Sequence, residues 1–128
     1  MTANVLLIED NEQNRYLATF LLEKHGYSVE AALDGVSGVE KATVAAPDIV
    51  SLDIQLPGMD GYQVAQALRR IGAMASVPIV AVTSYAMPLD REKALAAGCN
   101  GYIEKPIDPD SFVQEISRFL PSPAPASP

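Results

Sequence analysis

Glu9 and Asp10 follow the apolar run VLLI, Asp53 follows IVSL, Thr83 follows IVAV, and Lys105 closes the segment YIEK. Short apolar runs rich in β-branched residues read as buried strands, so each of these polar groups stands at the carboxyl end of a strand. Brought to one rim, the three carboxylates would repel one another and raise the pKa of at least one, unless a cation neutralised them. A hard divalent ion is the expected answer. Mg²⁺, or Mn²⁺ in its place, takes octahedral oxygen ligation with one or two carboxylates and several waters. That suits Asp10 and Asp53 as direct ligands, Glu9 through water, and the Gln55 backbone carbonyl. An Asp53 oxygen can then attack phosphorus to form an acyl phosphate. The Lys105 ammonium and the Thr83 hydroxyl would each bind an oxygen of the transferred group. Taken singly, Asp53 and Thr83 read as turn residues and Lys105 as a solvated charge. The reading rests on their conjunction at four strand ends.

That conjunction requires a sheet whose strand ends converge. Residues 5–8 form a first strand, and Asn11 caps a helix with Leu17, Phe20 and Leu21 on its inner face and Gly26 at its stop. The strand at 28–32, SVEAA, is less apolar and suited to an edge; Asp34 and Gly35 then turn the chain into a helix with Val36 and Val39 inward, closed by Pro47 and Asp48. Residues 49–53 form the third strand, and the turn holding Pro57, Gly58 and Gly61 leads to a helix capped by Asp60, with Val64, Leu68 and Ile71 at i, i+4 and i+7. Pro78 opens a fourth strand at 79–82, and the helix after it, stopped by Gly98, has the weakest apolar stripe. Tyr102 and Ile103 mark a fifth strand. After it Pro106 makes a turn in which an X-Pro bond is cis at little cost, and Asp108 and Pro109 supply an N-cap and N1 pair for a last helix with Phe112, Ile116, Phe119 and Leu120 inward.

Strands alternating with helices through short connections give an α/β fold. It is a five-stranded parallel sheet with five helices on both faces. With the second and fifth strands at the edges, the order 2-1-3-4-5 of the flavodoxin-like arrangement fits, and ligands of such sheets bind outside the carboxyl ends of the strands.

The 128 residues make one domain, expected at 1–120, with 48% hydrophobic and 20% charged residues marking a globular chain. Residues 121–128, PSPAPASP, are expected to be a disordered tail. A net charge of −7, with basic residues scattered, excludes nucleic acid as a direct partner. Cys99 is the only cysteine, so no intrachain disulfide forms. The first apolar run is cut by Glu9 and Asp10 after four residues, which excludes a signal peptide or membrane span there and leads to the expectation of a cytoplasmic protein. His25, near the end of the first helix, has a local role at the helix dipole.

The segments IEDN at 8–11, LDIQLPGMDG at 52–61, VTSYA at 82–86, AGC at 97–99 and YIEKPI at 102–107 together resemble the receiver domains of two-component response regulators, over about residues 3–120. The resemblance implies that Asp53 is the phosphoacceptor, Glu9 and Asp10 the acidic pair, Thr83 the switch hydroxyl, Lys105 the phosphate-sensing cation and Tyr102 the aromatic switch. It implies that Gln55 and Tyr85 flank the path of the water that hydrolyses the acyl phosphate. It further implies a histidine kinase or phosphotransfer protein as donor, and a downstream protein target reading the fourth helix, fifth strand and fifth helix. Ser51 departs from the bulky apolar residue usual two positions before the acceptor. The segment EDNEQN places the chain nearer the single-domain regulators of cell-cycle control than those of chemotaxis, and a receiver cut from a hybrid kinase would read much the same. An Asp-nucleophile phosphatase of the haloacid dehalogenase type needs a second acid two residues after the nucleophile, where this chain has Gln55. A flavin or nucleotide binder needs a Gly-rich or Ser/Thr-rich loop after the first strand, where this chain has EDNEQN.

Overall fold

The computed structural model describes residues 3–56, 58–84 and 88–120. Five strands alternate with five α-helices: β1 (Asn4–Ile8), α1 (Glu12–Lys24), β2 (Ser28–Ala32), α2 (Gly35–Val44), β3 (Ile49–Asp53), α3 (Gly61–Arg69), β4 (Ile79–Thr83), α4 (Pro88–Ala96), β5 (Gly101–Glu104) and α5 (Phe112–Ser117), with a 3₁₀ turn at Gly72–Met74. All pairings are parallel in the order β2-β1-β3-β4-β5, as the flavodoxin-like reading required. Tyr85 and the Pro-rich tail at 121–128 lie outside the described residues.

Strand alternation builds a core on each side of the sheet. Leu6, Ile8, Val50, Leu52, Ile79 and Ala81 face one way, where Ala42, Val64, Ala65, Leu68 and Ala94 of α2, α3 and α4 cover them. Val5, Leu7, Ile49, Val80, Val82 and Ile103 face the other, under α1 and α5. Each fully buried Val, Leu or Ile contributes roughly 1.5–3 kcal/mol, so the three central strands, buried almost throughout, anchor the sheet. Ser51 is buried between Leu7 and Val80 in the strand register, a small hydroxyl on the α1 and α5 side.

The helix stops at Gly26 and Gly98 are as expected, with φ of 92° and 108°. Asn11 accepts from the Asn14 N–H at 2.9 Å, and Asp60 forms a capping box with Gln63. Two expected inner faces and one expected cap are corrected. In α1 the seam is Ala18, Leu21 and Leu22, while Phe20 is 50% exposed and stacks on Tyr16. Ala18 at i with Leu21 and Leu22 at i+3 and i+4 lets the helix lie closer to the sheet than a Phe at the seam would. In α2, Val36 is 57% exposed, and the contact face is Gly35, Gly38 and Ala42 with Val39 half-buried. A Cβ on Gly38 would lie 2.5 Å from Ile8 Cδ1, so the helix sits on β1 backbone-first and the larger Val36 turns away. In α5 the helix begins at Phe112 after Ser111, and Asp108 instead accepts the Asp110 N–H at 2.9 Å in a preceding turn. The local Asx turn outcompetes capping there. The expected inner face itself holds: Phe112 and Ile116 are buried, and Phe119 and Leu120, just past the end of α5, pack half-buried against the same core.

Gly61 opens α3 directly beneath the β3 end. A Cβ there would meet Ile54 Cα at 2.5 Å and the Asp53 carbonyl oxygen at 2.8 Å, both backbone atoms that cannot swing aside. Gly61→Ala should therefore lower unfolding stability by about 1–3 kcal/mol in a denaturant titration. Gly72→Ala, with no atom within 4 Å of its added carbon, should stay within about 0.5 kcal/mol of the parent. Equal midpoints for the two variants would show that the β3 turn does not need the close approach.

Candidate functional site

Backbone bonds carry the ladder beyond the strand ends and so fix the rim. The Glu9 N–H donates to Ala32 O at 3.0 Å, Ile54 N–H to Val82 O at 3.0 Å, and Lys105 N–H to Thr83 O at 2.7 Å. With β1, β3 and β4 adjacent and β5 beside β4, Glu9, Asp53, Thr83 and Lys105 arrive at a single edge. The Lys105–Pro106 bond, which the sequence allowed to be cis, is cis.

Asp53 is 2% exposed, Glu9 3% and Thr83 1%, while Asp10 is open to solvent. Lys105 Nζ lies 3.2 Å from Asp53 Oδ1 and 3.5 Å from Glu9 Oε1. One ligand oxygen from each of Glu9, Asp10 and Asp53 falls within 4.8 Å of the others. Among the described residues the Lys105 ammonium thus pairs with the two buried members of a three-carboxyl cluster. Burial pushes the Glu9 carboxyl from 4.5 up to about 7, helped by its hydrogen bond and charge contact with Asp53, and the opposing pull of Lys105 and of the Asn11 N–H is too weak to restore it. The expected strain among the acids therefore falls on Glu9. An all-oxygen donor set with excess negative charge and one exposed member fits a hard divalent cation.

Gln55 is half-buried and joins two parts of the rim. Its backbone N–H donates to Asp53 Oδ1 at 3.0 Å. Its side-chain Nε2 donates to the Thr83 hydroxyl oxygen, and its Oε1 accepts the Ser84 N–H at 3.1 Å. The side-chain link was not legible in the sequence, since nothing in the spacing of residues 55 and 83 brings them together. Arg15 was missed as well: its Nη1 donates to Glu9 O at 3.0 Å and Asp10 O at 3.3 Å, holding the acidic loop from the first turn of α1. Asn11 contributes twice, capping α1 and donating its N–H to Glu9 Oε2 at 3.2 Å. Tyr102 is half-buried against the α2, α3 and α4 side of the core, one strand away from Ala81. His25 caps α1, with Nδ1 2.9 Å from Leu21 O, which is the local role expected of it. Among the described residues no helix is long and apolar enough to cross a membrane.

Comparison with known proteins agrees with this geometry. The family model described as the response regulator receiver domain matches residues 5–117. The polar-differentiation response regulator DivK of Brucella ovis is 36% identical over 120 residues, spanning 94% of this chain and 98% of its own length; that of Brucella anthropi is 35% identical with the same coverage. Among solved structures, the Vibrio cholerae chemotaxis protein CheY4 superposes with a TM-score of 0.90 at 29% identity, covering 94% of this chain and all 100% of that one. The receiver domain of a sensor histidine kinase from Pseudomonas aeruginosa, solved with a magnesium ion coordinated in its active site cleft, does so with a TM-score of 0.87 at 33% identity, covering 95% and 100%. Sequence, sheet order and rim chemistry converge, and the chain belongs to the response regulator receiver domains of two-component signalling.

Proposed function

We propose that the protein accepts a phosphoryl group on Asp53 from the phosphohistidine of a histidine kinase or histidine phosphotransfer protein, and that the modified rim switches a protein-binding surface. The observation that carries the proposal is the Asp53 carboxylate, 2% exposed yet 3.2 Å from the Lys105 ammonium, at the edge where Glu9 and Asp10 also stand. In the transfer, an Asp53 oxygen bonds to phosphorus as the phosphorus–nitrogen bond breaks. The electron pair returns to the donor imidazole, and an acyl phosphate remains. Lys105 binds a phosphoryl oxygen and offsets the charge that spreads over the group, while the Thr83 hydroxyl donates to another.

Glu9, Asp10, Asp53 and the Gln55 carbonyl are the groups that would hold Mg²⁺ or Mn²⁺, which when bound neutralises the acids and the incoming phosphoryl charge. Asp10, solvent-exposed, gives the ion its way in. Because the chain carries its own acceptor, it promotes its own phosphorylation and dephosphorylation and needs no separate turnover substrate. Gln55 sits beside the acceptor, where it would influence the lifetime of the acyl phosphate; we assign Tyr85 to the same task.

Phosphorylation draws Thr83 toward the new anion and lets Tyr102 move in behind it, biasing an existing equilibrium of the surface formed by α4, β5 and α5. We assign residues 1–120 to this receiver and 121–128 to a tail outside it. The similarity to the polar-differentiation regulators along nearly their whole length supports a single-domain regulator of that type, acting in the cytoplasm through protein contacts. The likeness to the receiver of a sensor kinase supports the second reading, a receiver excised from a hybrid kinase.

Incubation with acetyl phosphate or a phosphohistidine donor should label the parent protein with acid-labile phosphate and leave Asp53→Asn unlabelled. Lys105→Ala should bind Mg²⁺ nearly as the parent does and transfer about 10²-fold more slowly. Label on Asp53→Asn would remove Asp53 as acceptor, and an unchanged rate in Lys105→Ala would remove the lysine from the transfer.

The raised Glu9 pKa sets a pH dependence. Below pH 4.5 the carboxyl is protonated in both folded and unfolded chains. As pH rises toward about 7 the unfolded chain releases the proton first, so stability falls across that window and levels off above it. With divalent ions chelated, parent protein should lose unfolding stability between those pH values more steeply than Glu9→Gln. Parallel pH profiles for the two would mean that Glu9 ionises normally in the folded state.

A further inference from the structure

The Gln55 carboxamide has one allowed orientation. A backbone N–H can only donate, so the Ser84 N–H, 3.1 Å away, must face Oε1. The opposite arm, Nε2, then faces Thr83 and can only donate, so the Thr83 oxygen accepts. A hydroxyl that accepts along one direction turns its own proton elsewhere. Thr83 is 1% exposed, so bulk water does not compete to reorient it. Phosphoryl oxygens accept hydrogen bonds and do not donate them, which makes the hydroxyl useful only when its proton points outward from Gln55.

We propose that Gln55 is a positioning residue, which fixes the Thr83 hydroxyl as a donor toward a phosphoryl group on Asp53. The inference rests on the reading of Asp53 as the phosphoacceptor. The relay runs from the Ser84 amide through the Gln55 carboxamide to the Thr83 oxygen, so each link sets the polarity of the next. The same residue touches the acceptor itself, since the Gln55 N–H donates to Asp53 Oδ1 at 3.0 Å. Carboxylate and switch hydroxyl are thereby held by one residue, and a shift of either is felt by the other.

Beryllofluoride with Mg²⁺, a stable stand-in for the phosphoryl group, reads this without turnover. Its affinity should fall roughly three- to tenfold in Gln55→Met, which keeps the side-chain length and removes the donor. It should fall further in Gln55→Glu, whose carboxylate only accepts and so draws the Thr83 proton to itself. In a Thr83→Ala background the Met substitution should have no effect and the Glu substitution should retain only its charge penalty. In the parent protein, which needs no mutant to fold, the Gln55 side-chain amide protons should remain hydrogen-bonded and slow to exchange by NMR once beryllofluoride is bound. Parent protein that labels at Asp53 while Gln55→Met binds beryllofluoride equally well would overturn the relay and leave the acceptor standing. So would a loss that persists undiminished without the Thr83 hydroxyl, or amide protons that exchange at the rate of free Gln when beryllofluoride is bound. Parent protein that neither labels at Asp53 nor binds beryllofluoride would overturn the acceptor reading and this inference with it.

Discussion

The contact between the Lys105 ammonium and the two buried carboxyl groups of Asp53 and Glu9 is the constraint from which the rest of the site follows. Taking carboxylates out of water is costly unless each is paired and hydrogen-bonded. One lysine at 3.2 and 3.5 Å cannot neutralise two acids, and the exposed Asp10 adds a third to the cluster. The shortfall is visible as the upward displacement of Glu9, which burial and the neighbouring Asp53 together impose. A site with that deficit fits a divalent cation.

Holding such a rim in place requires a stiff frame close behind it. The central strands are buried almost along their whole length, and Gly61 and Gly38 let α3 and α2 approach the sheet at backbone distance. Arg69 ties the far ends together. It donates to Gly98 O at 2.9 Å, to Met74 O and Val77 O at 2.7 Å, and to Asn100 Oδ1 at 2.6 Å, and Asn100 in turn accepts the Ile79 N–H. The carboxyl end of α4 is thus pinned to the start of β4. Gln55 separately holds Thr83 and Ser84 at the carboxyl end of β4. Among the described residues, then, α4 is fastened at its carboxyl end by Arg69, while the carboxyl end of β4 is fastened by Gln55.

The residues with chemistry were legible because their pattern is local: a short apolar run, then a polar group, repeated at four strand ends. The edge positions followed from the same pattern, since β2 and β5 are the least apolar runs and both lie at the edges, whereas the full order came from likeness to the flavodoxin-like arrangement. Helix starts at Asn11 and Asp60 and stops at Gly26 and Gly98 were legible because caps and left-handed turns depend on neighbours within a few residues. Helix facing was less so. Phe20 and Val36 are apolar at helical spacing, yet both point outward, because smaller residues at Ala18 and Gly38 win the closest contact with the sheet.

By itself the sequence determined which polar side chains stand at the carboxyl ends of strands, and that an alternating parallel sheet would deliver them to one edge. Only the tertiary structure decided how charge is shared among them, and that Gln55 bridges Asp53 to Thr83 while Arg15 braces the acidic loop. Spacing along a chain fixes which residues lie at strand ends. Proton sharing and hydrogen-bond polarity depend on burial and on distances of about 3 Å between residues far apart in sequence, which exist only once β1, β3, β4 and β5 lie side by side.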